Sequence, residues 1–359
     1  MPPANHGHRA NNFDFLRLIA ALSVIFSHSF LIADGTQARE PFVILTGSQC
    51  VLGLIGVFVF FVISGYLVTE SFCREPRPGR FALRRTLRIY PGLVANIAVC
   101  AFVLGPIVTT LPPADYLSGQ ELREFLWKTL IIQPGELNLP GVAFSHNAVG
   151  RHLNGSLWSL RYEVLMYAMV GLLGSLRLLR LSTSVVLVAA GMAAVYFENA
   201  LRPLGEFQQW TWLLGFFAAG MVLHFLRDRL VFSGRWALVA LAALVLFAAL
   251  GRLILLFPLA GAYLALWFAR RYDRWLDYSR WCGDLSYGIY IYGWPFEQFV
   301  FWLSGGRAAW WQVLGGALPL VLGAAWLSWR FVESPALRWV RRRAMPPPLG
   351  IGVPAITKR

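Results

Sequence analysis

FLRLIAALSVIFSHSF, Phe15 to Phe30, is an apolar run broken by two residues that a bilayer resists, Arg17 and His28. At a rise of 1.5 Å per residue, eleven positions place them about 16 Å apart along one helix. Ionisable side chains at membrane depth are costly and, where present, usually serve a function. Arg17 lies within a turn or so of one membrane surface, where a long side chain can reach the headgroups. His28 lies beyond the midplane and has no such escape.

The rest of the chain has the same character. Of 359 residues, 57% are hydrophobic and only 14% charged, against about 25% charged in a soluble domain. Apolar segments near 13–34, 51–72, 89–110, 156–174, 182–198, 209–226, 234–250, 254–269, 285–303 and 309–331 approach the roughly 20 residues that a spanning helix needs. The expectation is an all-α, polytopic transmembrane bundle of about ten transmembrane helices. With the N-terminus inside, 22 of the 32 Lys and Arg residues fall in cytoplasmic segments and 7 in outer ones. That bias sets the orientation and puts both termini in the cytoplasm. Topology and contact with anionic headgroups account for the net charge of +14, and no nucleic-acid partner is expected. Residues 1–340 read as one membrane domain and 341–359 as a basic, Pro-rich cytoplasmic tail. The first apolar run has no cleavage site after it and reads as a retained anchor. Cys50, Cys73, Cys100 and Cys282 show neither disulfide nor metal-ligand spacing, so no metal is expected.

Several other polar positions stand out. Asp14 is placed to pair with Arg17 on the same helix face. Glu163, in NGSLWSLRYEVLMY (Asn154 to Tyr167), falls about 13 Å below the outer surface, and His28 about 9 Å below it. Two ionisable groups on different helices at similar depth suggest a shared site. In the second span, Gly53, Gly56 and Gly65 permit close helix approach, and Ser64 and Tyr66 add hydroxyls. Arg74, Arg77, Arg80, Arg84, Arg85 and Arg88 lead into the third span. Guanidinium forks suit phosphate, and charge alone leaves a phosphate-rich ligand and an anionic lipid surface equally open. Ser118 and Glu121 fit a capping box for an interfacial helix in the outer segment 111–155. His146 and His152 lack ligand-spaced companions and read as solvated loop residues.

In this order, the motifs resemble the membrane acyltransferase-3 family. Arg17 and His28 match its basic residue, ten others, then catalytic histidine. GVFVFFVISGYL, RFALRRTLRIYP, NGSLWSLRYEVLMY, LSYGIYIYGWP and FVESPALRW are similar to its later motifs, so the resemblance runs from Asn12 to about Trp339. It implies a membrane-embedded O-acyltransferase of the cell (inner) membrane. Such an enzyme would move an acyl group, acetyl by expectation, from cytoplasmic acyl-CoA to a hydroxyl of a surface glycan, lipopolysaccharide or lipo-oligosaccharide. His28 would be the general base, with an acetyl-histidine intermediate as the variant, and Glu163 would orient the imidazole. Arg17, Arg80, Arg84, Arg85 and Arg88 would hold the donor, and Asp14, Ser64, Tyr66, Asn154 and Trp158 would support the site. Acetyl-CoA would be a co-substrate rather than a resident cofactor. The partners would be acyl-CoA, the glycan or lipid-linked glycan acceptor and the bilayer, and a homo-oligomer is left open. Phe58 and Gly293 depart from the family, which often has a polar residue and a histidine in those places. A soluble hydrolase-like domain fused to some relatives is absent from this sequence, so any acyl-relay partner would be a separate polypeptide. The alternative is a proton-coupled transporter of an anionic substrate. Internal repeats, common in such proteins, are not visible.

Overall fold

The computed structural model describes residues 11–133, 138–142, 144, 147, 149, 153–197 and 206–344. His146, His152 and residues 345–359 of the expected tail lie outside them. The described residues are helical apart from loops and one isolated bridge between Thr109 and Val142. The principal helices are α1 (Phe13–Asp34), α2 (Leu52–Arg74), α3 (Pro78–Val108), α4 (Gln120–Leu130), α5 (Trp158–Ser175) and α6 (Leu181–Tyr196). They continue with α7 (Glu206–Phe225), α8 (Gly234–Ala249), α9 (Leu253–Ala269), α10 (Ser286–Leu303), α11 (Trp310–Ser328) and α12 (Ser334–Ala344).

Each of the ten apolar segments coincides with one of these helices. By length and composition, α1, α2, α3 and the run Trp310–Val340 can each cross a membrane. So can α9 if counted with Arg274–Cys282, which turns away from it by 98°. α6, α8 and the Trp210–Phe225 part of α7 are shorter apolar helices. The chain is a polytopic helical membrane protein. Its outward faces are apolar, as a lipid solvent requires: Leu238, Val239, Val245 and Leu246 of α8 are all exposed.

Two boundaries differ from expectation. The third helix begins at Pro78 rather than near 89. Proline is favoured in a first helical turn, where its missing N–H is not needed, so the arginine run is wound into helix instead of forming a loop before it. The expected tail boundary at 341 falls inside α12, which continues α11 through a π-helical turn, Trp329–Glu333. The Ser118–Glu121 capping box does not form. Gly119 precedes α4 without a side-chain cap, and Ser118 Oγ donates instead to the Asp115 carbonyl at 3.5 Å. The helix itself is amphipathic, with Leu122 and Phe125 buried and Trp127 exposed.

Glycine controls the packing around α2. A Cβ at Gly56 would lie 2.5 Å from the Ala20 carbonyl of α1, and one at Gly65 would strike the Phe217 backbone of α7. α2 therefore sits tightly between α1 and α7. On its other side α1 packs against α10, which in turn packs on α11. Arg17, early in α1, meets Asp284 just ahead of α10, while His28, late in α1, meets Glu297, late in α10. The two helices therefore run parallel.

Candidate active site

A cavity of about 660 Å³ lies among α1, α2, α3, α5, α10 and the π-helical turn. At one end it is lined by Asp14, Arg17, Arg74, Arg84, Arg85, Arg88 and Asp284. Helical winding from Pro78 brings Arg84, Arg85 and Arg88 to this wall from within a little over one turn. Arg17 lies 3.1 Å from Asp14 and 3.5 Å from Asp284, and Arg88 also binds Asp284. Arg84 pairs with Glu75 at 2.6 Å. Arg80 pairs with the same carboxylate at 2.9 Å but is 46% exposed and does not line the cavity. Arg85 donates to Ser71 Oγ at 3.3 Å and lies over the Phe81 and Tyr167 rings. Among the described residues it has no carboxylate partner.

Asp284 precedes α10 and accepts from the Ser286 N–H at 3.2 Å and from Ser286 Oγ at 2.5 Å. An acid here also complements the helix dipole. Burial pushes its carboxyl up, but the Arg88 and Arg17 guanidiniums and Ser286 outweigh that and hold it below the usual carboxylate range.

The apolar-flanked end of the cavity carries a second polar group. Ser64 Oγ donates to Glu163 at 3.3 Å, and Tyr167, one turn along α5, donates to the same carboxylate oxygen. Ser159 and Tyr290 share a hydrogen bond of 2.6 Å, and Tyr290 donates to the Ser156 carbonyl at 2.8 Å. Tyr290 belongs to α10, and one turn further along that helix is Trp294. Its ring meets the His28 ring edge-on, with centroids 4.8 Å apart.

His28 is not among the residues lining the cavity. Its Nδ1 lies 3.9 Å from Glu297 Oε2, and the Glu297 side chain is 0% exposed. The expected pairing of His28 with Glu163 is therefore replaced by His28 with Glu297. Counting residues fixes a side chain's height but not its position around the bundle. α5 packs on α2 and α3, whereas α1 packs on α2, α10 and α11, so the helix beside α1 at the level of His28 is α10. Glu297 was not singled out in the sequence. An acid inside the apolar run 285–303 is itself a signal of function and would have found it.

The expected supporting residues divide. Asp14 and Ser64 line the cavity. Tyr66, two residues from Ser64, points the other way and packs against Phe13 and His224. Asn154 lies outside the cavity lining: its Oδ1 accepts from the Ser156 N–H, and its Nδ2 donates to Asn96 Oδ1 at 3.0 Å and the Ile291 carbonyl at 2.9 Å. Trp158 is 39% exposed and touches Tyr162. The two departures also have local causes. Phe58 stacks on Phe216 with centroids 3.8 Å apart. A Cβ at Gly293 would lie 2.8 Å from Ile25, so α10 approaches α1 too closely there for a histidine.

The acyltransferase-3 family model, an acyltransferase domain, matches residues 11–330. An O-acetyl transferase of Shigella phage Sf6 is 26% identical over 336 residues, covering 91% of this chain and 96% of that protein. Nodulation protein 10 of Rhizobium leguminosarum bv. viciae is 28% identical over 378 residues, covering 94% of this chain and 96% of that protein. No solved structure matches the chain. Because the family model spans nearly all of the helical bundle, the chain belongs to the acyltransferase-3 family and is a multi-pass membrane acyltransferase.

Proposed function

We propose that this protein transfers an acetyl group from cytoplasmic acetyl-CoA to a hydroxyl of a cell-surface glycan or lipid-linked glycan, across ten spans with both termini in the cytoplasm. The observation that carries this reading is the arginine-lined cavity of about 660 Å³ at the Arg17 end of α1, with His28 about 16 Å further along the same helix. Arg17, Arg84, Arg85 and Arg88 suit the phosphates of the donor. The pantetheine arm would follow the cavity past Ser64, Glu163 and Tyr290. The acyl group of the phage relative, named an O-acetyl transferase, supports acetyl as the transferred group. Exposed Trp275 and Trp281, set among Arg270, Arg271, Arg274 and Arg280, suit a cytoplasmic membrane interface.

In this reaction the acceptor oxygen attacks the thioester carbonyl and its proton passes to His28. The C–S bond breaks as the C–O bond forms, and the proton goes on to the leaving thiolate. Glu163, satisfied by Ser64 and Tyr167, keeps those hydroxyls fixed beside the arm rather than acting on the imidazole. The thioester must pass the edge of Trp294 to reach His28. The test is acyl transfer by purified protein in lipid, with labelled acetyl-CoA and glycans from cells lacking the gene. His28→Gln should retain CoA binding and lose transfer by about 10²–10⁴-fold. Substantial turnover by that variant would remove His28 from the mechanism. Binding of acetyl-CoA with export of label and no acylated glycan would instead favour transport.

A further inference from the structure

Glu297 is the least explained side chain in the bundle. It is fully buried, and among the described residues neither of its carboxylate oxygens has a hydrogen-bond partner. His28 Nδ1 is likewise buried without one. The two face each other at 3.9 Å, about 1 Å beyond hydrogen-bond length. Glu297 shares its face of α10 with Trp294 and Phe301, three and four residues away. Those two rings belong to a small apolar cluster with Ile32 of α1 and Val313 of α11. α11 contains no charged or titratable residue. On α1 the other titratable groups are Asp14 and Arg17, held at the far end with Asp284, and Asp34, which pairs with Arg39 at 3.6 Å. Among the described residues of α1 and α11, His28 is thus the ionisable group that faces Glu297.

A carboxyl in dry surroundings without a partner costs several kcal/mol, so its presence calls for a compensating role. We propose that Glu297 is the positioning residue of His28: it accepts a hydrogen bond from Nδ1–H, fixes the ring tautomer and leaves Nε2 free for the acceptor hydroxyl. When Nε2 takes the hydroxyl proton, the imidazolium forms beside Glu297, as the acid serves its histidine in a hydrolase triad. The two groups stand 3.9 Å apart, and catalytic hydrogen bonds commonly tighten in the Michaelis complex. This role rests on His28 being the general base.

The test uses full-length protein in lipid nanodiscs and compares Glu297→Leu and Glu297→Gln with wild type and His28→Gln. Leucine fills the volume without an acceptor, and glutamine keeps an oxygen for Nδ1–H. Three quantities are measured: kcat and KM for acetyl-CoA, the melting temperature, and the ¹⁵N signature of the His28 tautomer, assigned by its loss in His28→Gln. Glu297→Leu should keep its melting temperature and KM, lose kcat by roughly 10²-fold or more, and convert the His28 signal from the Nδ1–H form to a mixture. Glu297→Gln should restore the tautomer and part of kcat. Wild-type kcat in Glu297→Leu would overturn the proposal, as would a slow variant whose His28 signal is unchanged. If His28→Gln itself remains active, the base assignment fails. If His28→Gln is inactive while Glu297→Leu is not, only the role of Glu297 falls.

Discussion

Arg80 and Arg85 are five residues apart on α3, yet their surroundings predict opposite outcomes. Arg85 lines the cavity without a carboxylate partner among the described residues, while Arg80 is half-exposed and tied to Glu75. Arg85→Ala should weaken CoA binding by about one to two decades, the worth of one charge-assisted contact of roughly 1.5–3 kcal/mol. Arg80→Ala should leave CoA binding within about twofold. Calorimetric titration of both variants checks the contrast. Asp284 carries a pH signature. Its carboxyl is held below the ordinary range by Arg88 and Arg17 against the effect of burial. The carboxylate therefore contributes stability in full above the unfolded value near 3.9, and that stability is lost as pH falls toward the depressed folded value. Thermal melts between pH 7 and pH 3 should show wild type losing this contribution at the acid end. Asp284→Asn should already lack it at pH 7 and should fall less steeply on acidification.

At the scale of elements, α2 is the piece whose fit matters most, because glycine lets it touch helices on two sides. Gly65→Leu should force α2 away from Phe217 of α7 and lower the melting temperature in lipid by an amount equivalent to about 1–3 kcal/mol. Gly79→Ala, at a position with open space around it, is the control. The helices were legible in the sequence because a run of some 20 apolar residues is local information. The start of α3 was not, since hydropathy registers where residues become apolar and not where winding begins. The same distinction divides the site. Arg17, His28 and their spacing lie on one helix and could be read directly. The partner of His28 could not, because that required knowing that α10, rather than α5, lies beside α1. Tyr66 was misjudged by rotation as well: two residues from Ser64, it faces the opposite side of α2.

Taken as a whole, the bundle puts the arginines of its cavity at one end of α1 and His28 near the other, with an acid of α10 or its N-terminal lead at each level. Both Arg17 with Asp284 and His28 with Glu297 join helices that run parallel. This arrangement has an electrical consequence. On the proposed route an acyl group travels outward on the donor's sulfur to His28 and passes to the acceptor oxygen, and that oxygen's proton returns inward on the sulfur. The two movements cancel, so a complete turnover carries no net charge across the bilayer. Proteoliposomes clamped at different potentials with potassium and valinomycin should therefore acylate external acceptor to the same final extent. The membrane voltage that drives so many transporters would neither drive this reaction nor be drained by it.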